Sequence, residues 1–171
     1  MPRGVGNSPV DPSQAFDALT AALDYPMFVV TAAAGRSRAG CLVGFTTQCS
    51  IDPARFLVCL SRRNHTCRVA TDAELLAVHL LDREQRALAE LFGTETGDDV
   101  DKLAGCAWTE GPSGTPLLDD CPNRFVGRVV DRFDVGDHLA FLLEVLDAWS
   151  ADPGPLLTFQ SVRDLEPGHR A

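Results

Sequence analysis

Two apolar runs of strand length, residues 40–50 and 56–61, are separated only by Ile51-Asp-Pro-Ala-Arg55. Proline presets φ and pushes the residue before it out of the helical region, so Asp52-Pro53 marks a tight turn. So short a link cannot hold the crossover of a dozen or more residues that parallel strands need, so the two runs pair antiparallel. A third run, residues 27–33 (Met-Phe-Val-Val-Thr-Ala-Ala), is β-branched and aromatic and reaches residue 40 through Gly35-Arg-Ser-Arg38. It too reads as a strand with an antiparallel neighbour. Further on, residues 75–81 read as a buried strand, and Trp108 sits on a short strand in a loop-rich stretch. Residues 123–133 and 137–149 form a strand pair around Asp134-Val-Gly136, and residues 155–160 add a last short strand.

Strands grouped in hairpins, without βαβ alternation, predict a mainly β chain. We expect six or seven antiparallel strands closed, or nearly closed, into a split β-barrel with helices at its periphery. Asp11 or Ser13 caps a helix reaching about Leu23, with Phe16, Leu19 and Leu23 on one face. Asn64 caps a short helix toward Ala70. Asp82 caps a helix over 83–92 with Leu88, Leu91 and Phe92 on one face, and residues 98–104 read as a short acidic helix.

A length of 171 residues suggests a single domain with a real core. We divide it into an N-terminal arm and helix (1–24), the barrel (25–160) and a polar tail (161–171). No apolar run approaches the roughly 18 residues of a membrane span, and residues 1–10 lack the apolar stretch of an export signal. The net charge of −9 argues against nucleic-acid or anionic-membrane partners. A local basic cluster remains at Arg36, Arg38, Arg62, Arg63 and Arg68. The six cysteines show no C-x-x-C pair and no histidine at zinc-site spacing, so we expect reduced thiols, no metal site and a cytoplasmic protein.

No glycine-rich dinucleotide fingerprint, phosphate-binding G-x-x-x-x-G-K or G-x-S-x-G nucleophile motif occurs. Instead two rows of neutral and positive donors stand out. Thr46, Thr47, Gln48, Cys49 and Ser50 end one strand, where backbone amides near Gln48 to Ser50 can bond a planar heterocycle. Ser61, Arg62, Arg63, Asn64, His65 and Thr66 follow the next, at a helix start suited to a phosphate. The plainer alternative is that Ser61 and Asn64 only cap a helix and the arginines face water. His138 either serves a cofactor or substrate or belongs to a hairpin turn with Asp137. His79, amid leucines and valine, reads as a satisfied core or interface histidine.

Ser50-Ile-Asp-Pro53, Leu57-Val-Cys-Leu60, Gly136-Asp137-His138 and the Gln85 to Phe92 helix follow one another in the order seen in the flavin reductase-like family, which this chain resembles over residues 26–149. The resemblance implies an FMN-binding split barrel, usually a homodimer, acting as an NAD(P)H oxidoreductase. Such a protein passes a hydride from nicotinamide to flavin, and can feed reduced flavin to a partner monooxygenase. It implies FMN, with FAD possible, and NAD(P)H as co-substrate. Thr46, Thr47, Gln48, Cys49 and Ser50 would line the isoalloxazine. Ser61, Asn64, His65 and Thr66, with Arg63 beside them, would meet the phosphate, and His138 would lie near the nicotinamide. The family often carries Thr-Ala-Asn where this chain has Leu42, Val43 and Gly44, and a second proline where it has Ala54. A barrel that binds a flavin, a deazaflavin or haem without turnover is the alternative that the apolar segment raises.

Overall fold

The computed structural model describes residues 11–152 and 154–168; the arm expected at residues 1–10 and the last three residues of the expected tail lie outside these. In chain order the strands are β1 (Phe28–Ala34), β2 (Ser37–Val43), β3 (Thr46–Ser50), β4 (Arg55–Ser61), β5 (Leu75–Leu80), β6 (Trp108–Glu110), β7 (Pro116–Leu118), β8 (Arg124–Asp134) and β9 (His138–Trp149). The helices are α1 (Pro12–Ala21), α2 (His65–Asp72), α3 (Arg86–Thr94) and α4 (Phe159–Val162). Seven strands make one sheet in the order β2-β1-β5-β8-β9-β4-β3, and β6 and β7 pair apart from it. All pairings in the large sheet are antiparallel.

The two edges of that sheet, β2 and β3, are consecutive stretches of chain separated by Gly44-Phe45. Residues 40–50, expected as one strand, therefore bend in the middle. The ladder to β1 begins from Val43, opposite Phe28. Beyond the bend the Thr46 N–H donates to the Gly44 carbonyl at 2.9 Å and the Cys59 N–H donates to the Phe45 carbonyl at 2.9 Å, which starts the ladder to β4. One bent segment thus joins both edges and curls the sheet into a nearly closed, split barrel.

β1 is buried on both faces, which is why its sequence is apolar, but for Thr31, instead of alternating. Phe28, Val30 and Ala32 point into the barrel with Val58, Leu60, Val78, Phe141 and Leu143. Met27 and Val29 belong to a second core with Leu81, Ala89, Phe92, Leu118 and Leu157, outside the barrel wall. α3 seats Phe92 directly on β2, because a Cβ at Gly40 would come within 2.7 Å of Phe92 Cε1. His79 ties the small β6–β7 pair to the barrel. The Leu118 N–H donates to its Nε2 at 3.1 Å, so its Nδ1–H donates to the Val29 carbonyl at 3.0 Å. It is the satisfied core histidine expected, and burial pushes its pKa down to about 4.

The caps at Asn64 and Asp82 form as read. Asn64 Oδ1 accepts from the Thr66 N–H at 2.9 Å, and Asp82 and Gln85 exchange the two bonds of a capping box. Three elements differ. The acidic helix expected over 98–104 is only a 3-10 turn at Lys102–Gly105, because Asp98 turns to Arg68 and His65 instead. The last strand expected at 155–160 is reduced to single bridges at Leu156 and Thr158 before α4 begins. Residues 161–168, read as part of a polar tail, fold back on the second core. Val162 is buried there, Leu165 packs against it, and the Gly168 N–H donates to the Gly93 carbonyl at 3.1 Å.

Candidate functional site

At the bend between β2 and β3 the barrel wall opens into a cavity of about 410 Å³. Its floor is the segment Leu42-Val43-Gly44-Phe45, and Phe92 and Gly93 of α3 flank it. The returning C-terminal segment supplies Phe159, Val162, Arg163 and Leu165. One end is polar, where Ser61, Asn64 and His138 line the cavity. Ser61 ends β4 and His138 starts β9, and the two are direct cross-strand partners. Residues 77 positions apart in sequence are thereby set side by side by strand register alone. The Ser61 hydroxyl accepts from the Arg63 N–H at 3.4 Å, and the Arg62 N–H donates to the Asp137 carbonyl at 3.0 Å, which holds the two strand ends together. His138 Nδ1 lies 2.7 Å from Asp137 Oδ1. That hydrogen bond holds the Asp137 carboxyl below the usual carboxylate range.

The sequence-expected residues divide into three groups. Ser61, Asn64 and His138 meet at the cavity. Arg63, exposed, lies between Ser61 and Asn64 in sequence without lining the cavity, and Arg62 is engaged by Asp134. His65 and Thr66 turn elsewhere. His65 Nδ1 stands 3.1 Å from Asp98 and faces a smaller hollow of about 180 Å³ shared with Arg38, Gly40 and Lys102. Thr66 is only 1% exposed, with its hydroxyl inside the protein near the Cys41 thiol. Thr46, Thr47, Gln48, Cys49 and Ser50 lie on β3 past the bend, on the outside. Gln48, Cys49 and Ser50 line a shallow surface hollow with Ile51 and Asp52, separate from the cavity.

The aromatic side of the cavity escaped the sequence reading. Tyr25 and Phe159 stack at 4.9 Å and 14°, and Phe45 sits 6.5 Å from Tyr25 and 5.2 Å from His138, ring centre to ring centre. Apolar residues at every third position, Phe159, Val162 and Leu165, were the available signal for the returning segment. Burial disfavours the thiolate form of the cavity's cysteines. Burial pushes Cys59 up, and pushes Cys41 up to about 11. Among the described residues no three His, Cys, Asp or Glu side chains gather as metal ligands. The arrangement suits a flat, largely apolar ring laid on the β2 backbone, with a polar or anionic group at the Ser61–Asn64 end.

Comparison with known proteins agrees with this geometry. The flavin reductase like domain matches residues 20–165. The FMN reductase (NADH) RutF of Variovorax paradoxus is 30% identical over 146 residues, which are 85% of this chain and 79% of that protein. Among solved structures, the Streptomyces globisporus C-1027 NADH:FAD oxidoreductase SgcE6 superposes with a TM-score of 0.79 at 23% identity, over 96% of this chain and 95% of that one. The nitrilotriacetate monooxygenase component B of Mycobacterium thermoresistibile has a TM-score of 0.75 at 20% identity, over 85% of this chain and 81% of that one. These two structures share the barrel fold. With the domain match spanning most of its length, the chain belongs to the flavin reductase-like family.

Proposed function

We propose that this chain is an NAD(P)H:flavin oxidoreductase that takes FMN, or FAD, in the cavity at the β2–β3 bend. The observation that carries this is the cavity itself: an apolar floor, a polar end at Ser61, Asn64 and His138, further lining by Glu95 and Arg163, and a size within the roughly 300–1,000 Å³ of small-molecule sites. A flat ring fits the floor, and a phosphate fits the end where Ser61 offers a hydroxyl, Asn64 an amide and Arg63 a charge. When bound, the flavin supplies the hydride-accepting N5 for a nicotinamide laid on its open face. The protein's part is to orient the two rings. Leu42, Val43 and Gly44 support one ring by backbone and apolar contact. His138, held by Asp137, donates or accepts at the nicotinamide edge. The relatives named as NADH-dependent FMN reductases support the reaction class.

We further propose a cytoplasmic homodimer that hands reduced flavin to a partner monooxygenase. Phe16, Leu19 and Leu23, the apolar face read from the sequence, are 64%, 70% and 54% exposed, a patch suited to a second copy. Ile51, 86% exposed, stands beside Thr46–Ser50 on the outer surface. In such a dimer Thr46, Thr47, Gln48, Cys49 and Ser50 serve the partner copy's flavin. His65 and Thr66 support the phosphate end from behind, through the start of α2. The likeness to a monooxygenase component supports the partner. The test is steady-state NADH and NADPH oxidation by the purified protein with added FMN or FAD. Flavin-dependent turnover is expected. Flavin binding without turnover favours the non-catalytic carrier, and neither binding nor turnover refutes the assignment.

A further inference from the structure

The floor of the cavity, Leu42-Val43-Gly44, has no side-chain donor. A flavin ring nonetheless carries carbonyl oxygens and ring nitrogens along one edge, and these lose water when the ring is enclosed. Ser61, Asn64 and His138 gather at the β4–β9 end. Tyr25, beyond Phe45 from His138, crosses Gly44. A Cβ built on Gly44 would lie 2.5 Å from Tyr25 Cε2 and 3.3 Å from Cδ2. Cε2 is bonded to the carbon that bears the hydroxyl, so the phenol end of the ring fills the space of a residue-44 side chain.

The ring is held there from two directions. It stacks on Phe159 at 4.9 Å, and the Phe159 N–H donates to the Tyr25 carbonyl at 2.9 Å. Both rings line the cavity. Burial and the charge of Asp24 push the Tyr25 phenol up, so its O–H keeps its proton across the neutral range.

We propose that Tyr25 is a flavin-binding residue of this site: its phenol stands in for a side chain at position 44 and donates its O–H to the heteroatom edge of the bound flavin ring. The assignment rests on the flavin reading above. A bare glycine on the floor and a tyrosine packed across it are then one device, since any side chain at 44 would have to displace the ring.

The experiment compares FMN binding, by quenching of flavin fluorescence, with the visible absorption band of the bound flavin in wild type and Tyr25→Phe. This variant keeps the ring, the stack and the packing at Gly44. Loss of one neutral hydrogen bond predicts about three- to tenfold weaker FMN binding and a shifted band, with the melting temperature unchanged. Gly44→Ala is expected to weaken FMN binding in the wild-type background and to be tolerated once Tyr25→Ala has emptied the space. Tyr25→Phe with wild-type affinity and spectrum overturns the role of the phenol while leaving the flavin assignment standing. Wild type that binds neither FMN nor FAD overturns the flavin assignment, and the role of Tyr25 with it.

Discussion

Asn64→Asp separates the two things Asn64 can do, cap α2 and bind a phosphate. Its Oδ1 accepts from the Thr66 N–H at 2.9 Å, and its side chain lines the cavity beside Ser61. Aspartate keeps the capping oxygen, and asparagine and aspartate cap about equally well. The new charge also sits at the positive end of α2, worth about 0.3–1 kcal/mol in favour of the fold. Thermal stability should therefore stay level or rise slightly. For a phosphate at that end the same charge is repulsive. Two unit charges about 4 Å apart repel by about 1 kcal/mol in bulk water and about 4 kcal/mol near a protein surface. Asn64 is half-buried at the rim, so about 2 kcal/mol is a fair middle value, or about 30-fold in affinity. Riboflavin has the same ring and no phosphate, so its affinity should hold. Titrating FMN and riboflavin into wild type and variant by flavin fluorescence measures the ratio directly. An FMN-to-riboflavin ratio unchanged by the substitution would refute the placement of the phosphate, whatever happens to stability.

Three further predictions concern the frame around the site. His79 is buried neutral with its pKa at about 4, against 6.5 in the unfolded chain. The unfolded state gains the proton first, so stability is full above pH 6.5 and falls toward pH 4, by roughly 3 kcal/mol at about 1.4 kcal/mol per unit. Urea unfolding across that window checks it, and a flat profile refutes it. Lys102, 5% exposed, donates to the Phe92 carbonyl at 3.1 Å and the Glu95 carbonyl at 3.0 Å, closing the end of α3. Lys102→Met leaves both carbonyls short of a partner and should cost about 1–3 kcal/mol in urea unfolding; an unchanged midpoint contradicts the role. Gly40→Ala drives a methyl to within 2.7 Å of Phe92 Cε1. It should cost about 1–3 kcal/mol of stability, seen as a lower melting point, and Phe92→Leu should partly restore it in the double variant.

The strands were legible because each carries its own local signal: β-branched runs bounded by Asp-Pro or Gly turns. Their antiparallel pairing followed from short links. The bend at Gly44-Phe45 was not legible, since Cys41 to Cys49 contains nothing that breaks a strand except one glycine. Its cause is tertiary: β2 is bonded to β1 and β3 to β4. That one bend moves Thr46 to Ser50 from the expected ring wall to the outer surface. Ser61, Asn64 and His138 were read separately, and strand register supplied what sequence could not, the pairing of Ser61 with His138. Tyr25 and Phe159 went unread as site residues because neither lies in a motif. They meet only through the fold-back of residues 155–168, whose first part was read as a short strand and whose remainder was read as a polar tail. His65 was read as a phosphate ligand from its helix-start position, and in the fold its Nδ1 stands 3.1 Å from Asp98, 33 residues away, a contact that no local sequence signal announces.

The most direct measurement is the anaerobic half-reaction. The protein is loaded with one equivalent of FMN, mixed with NADH in a stopped-flow cell without oxygen, and followed at the flavin's visible band. Stoichiometric bleaching, faster than free FMN with NADH and slowed in His138→Ala, is the predicted result. A flavin that stays bound and oxidised in excess NADH and NADPH would contradict the assignment of this chain as an oxidoreductase.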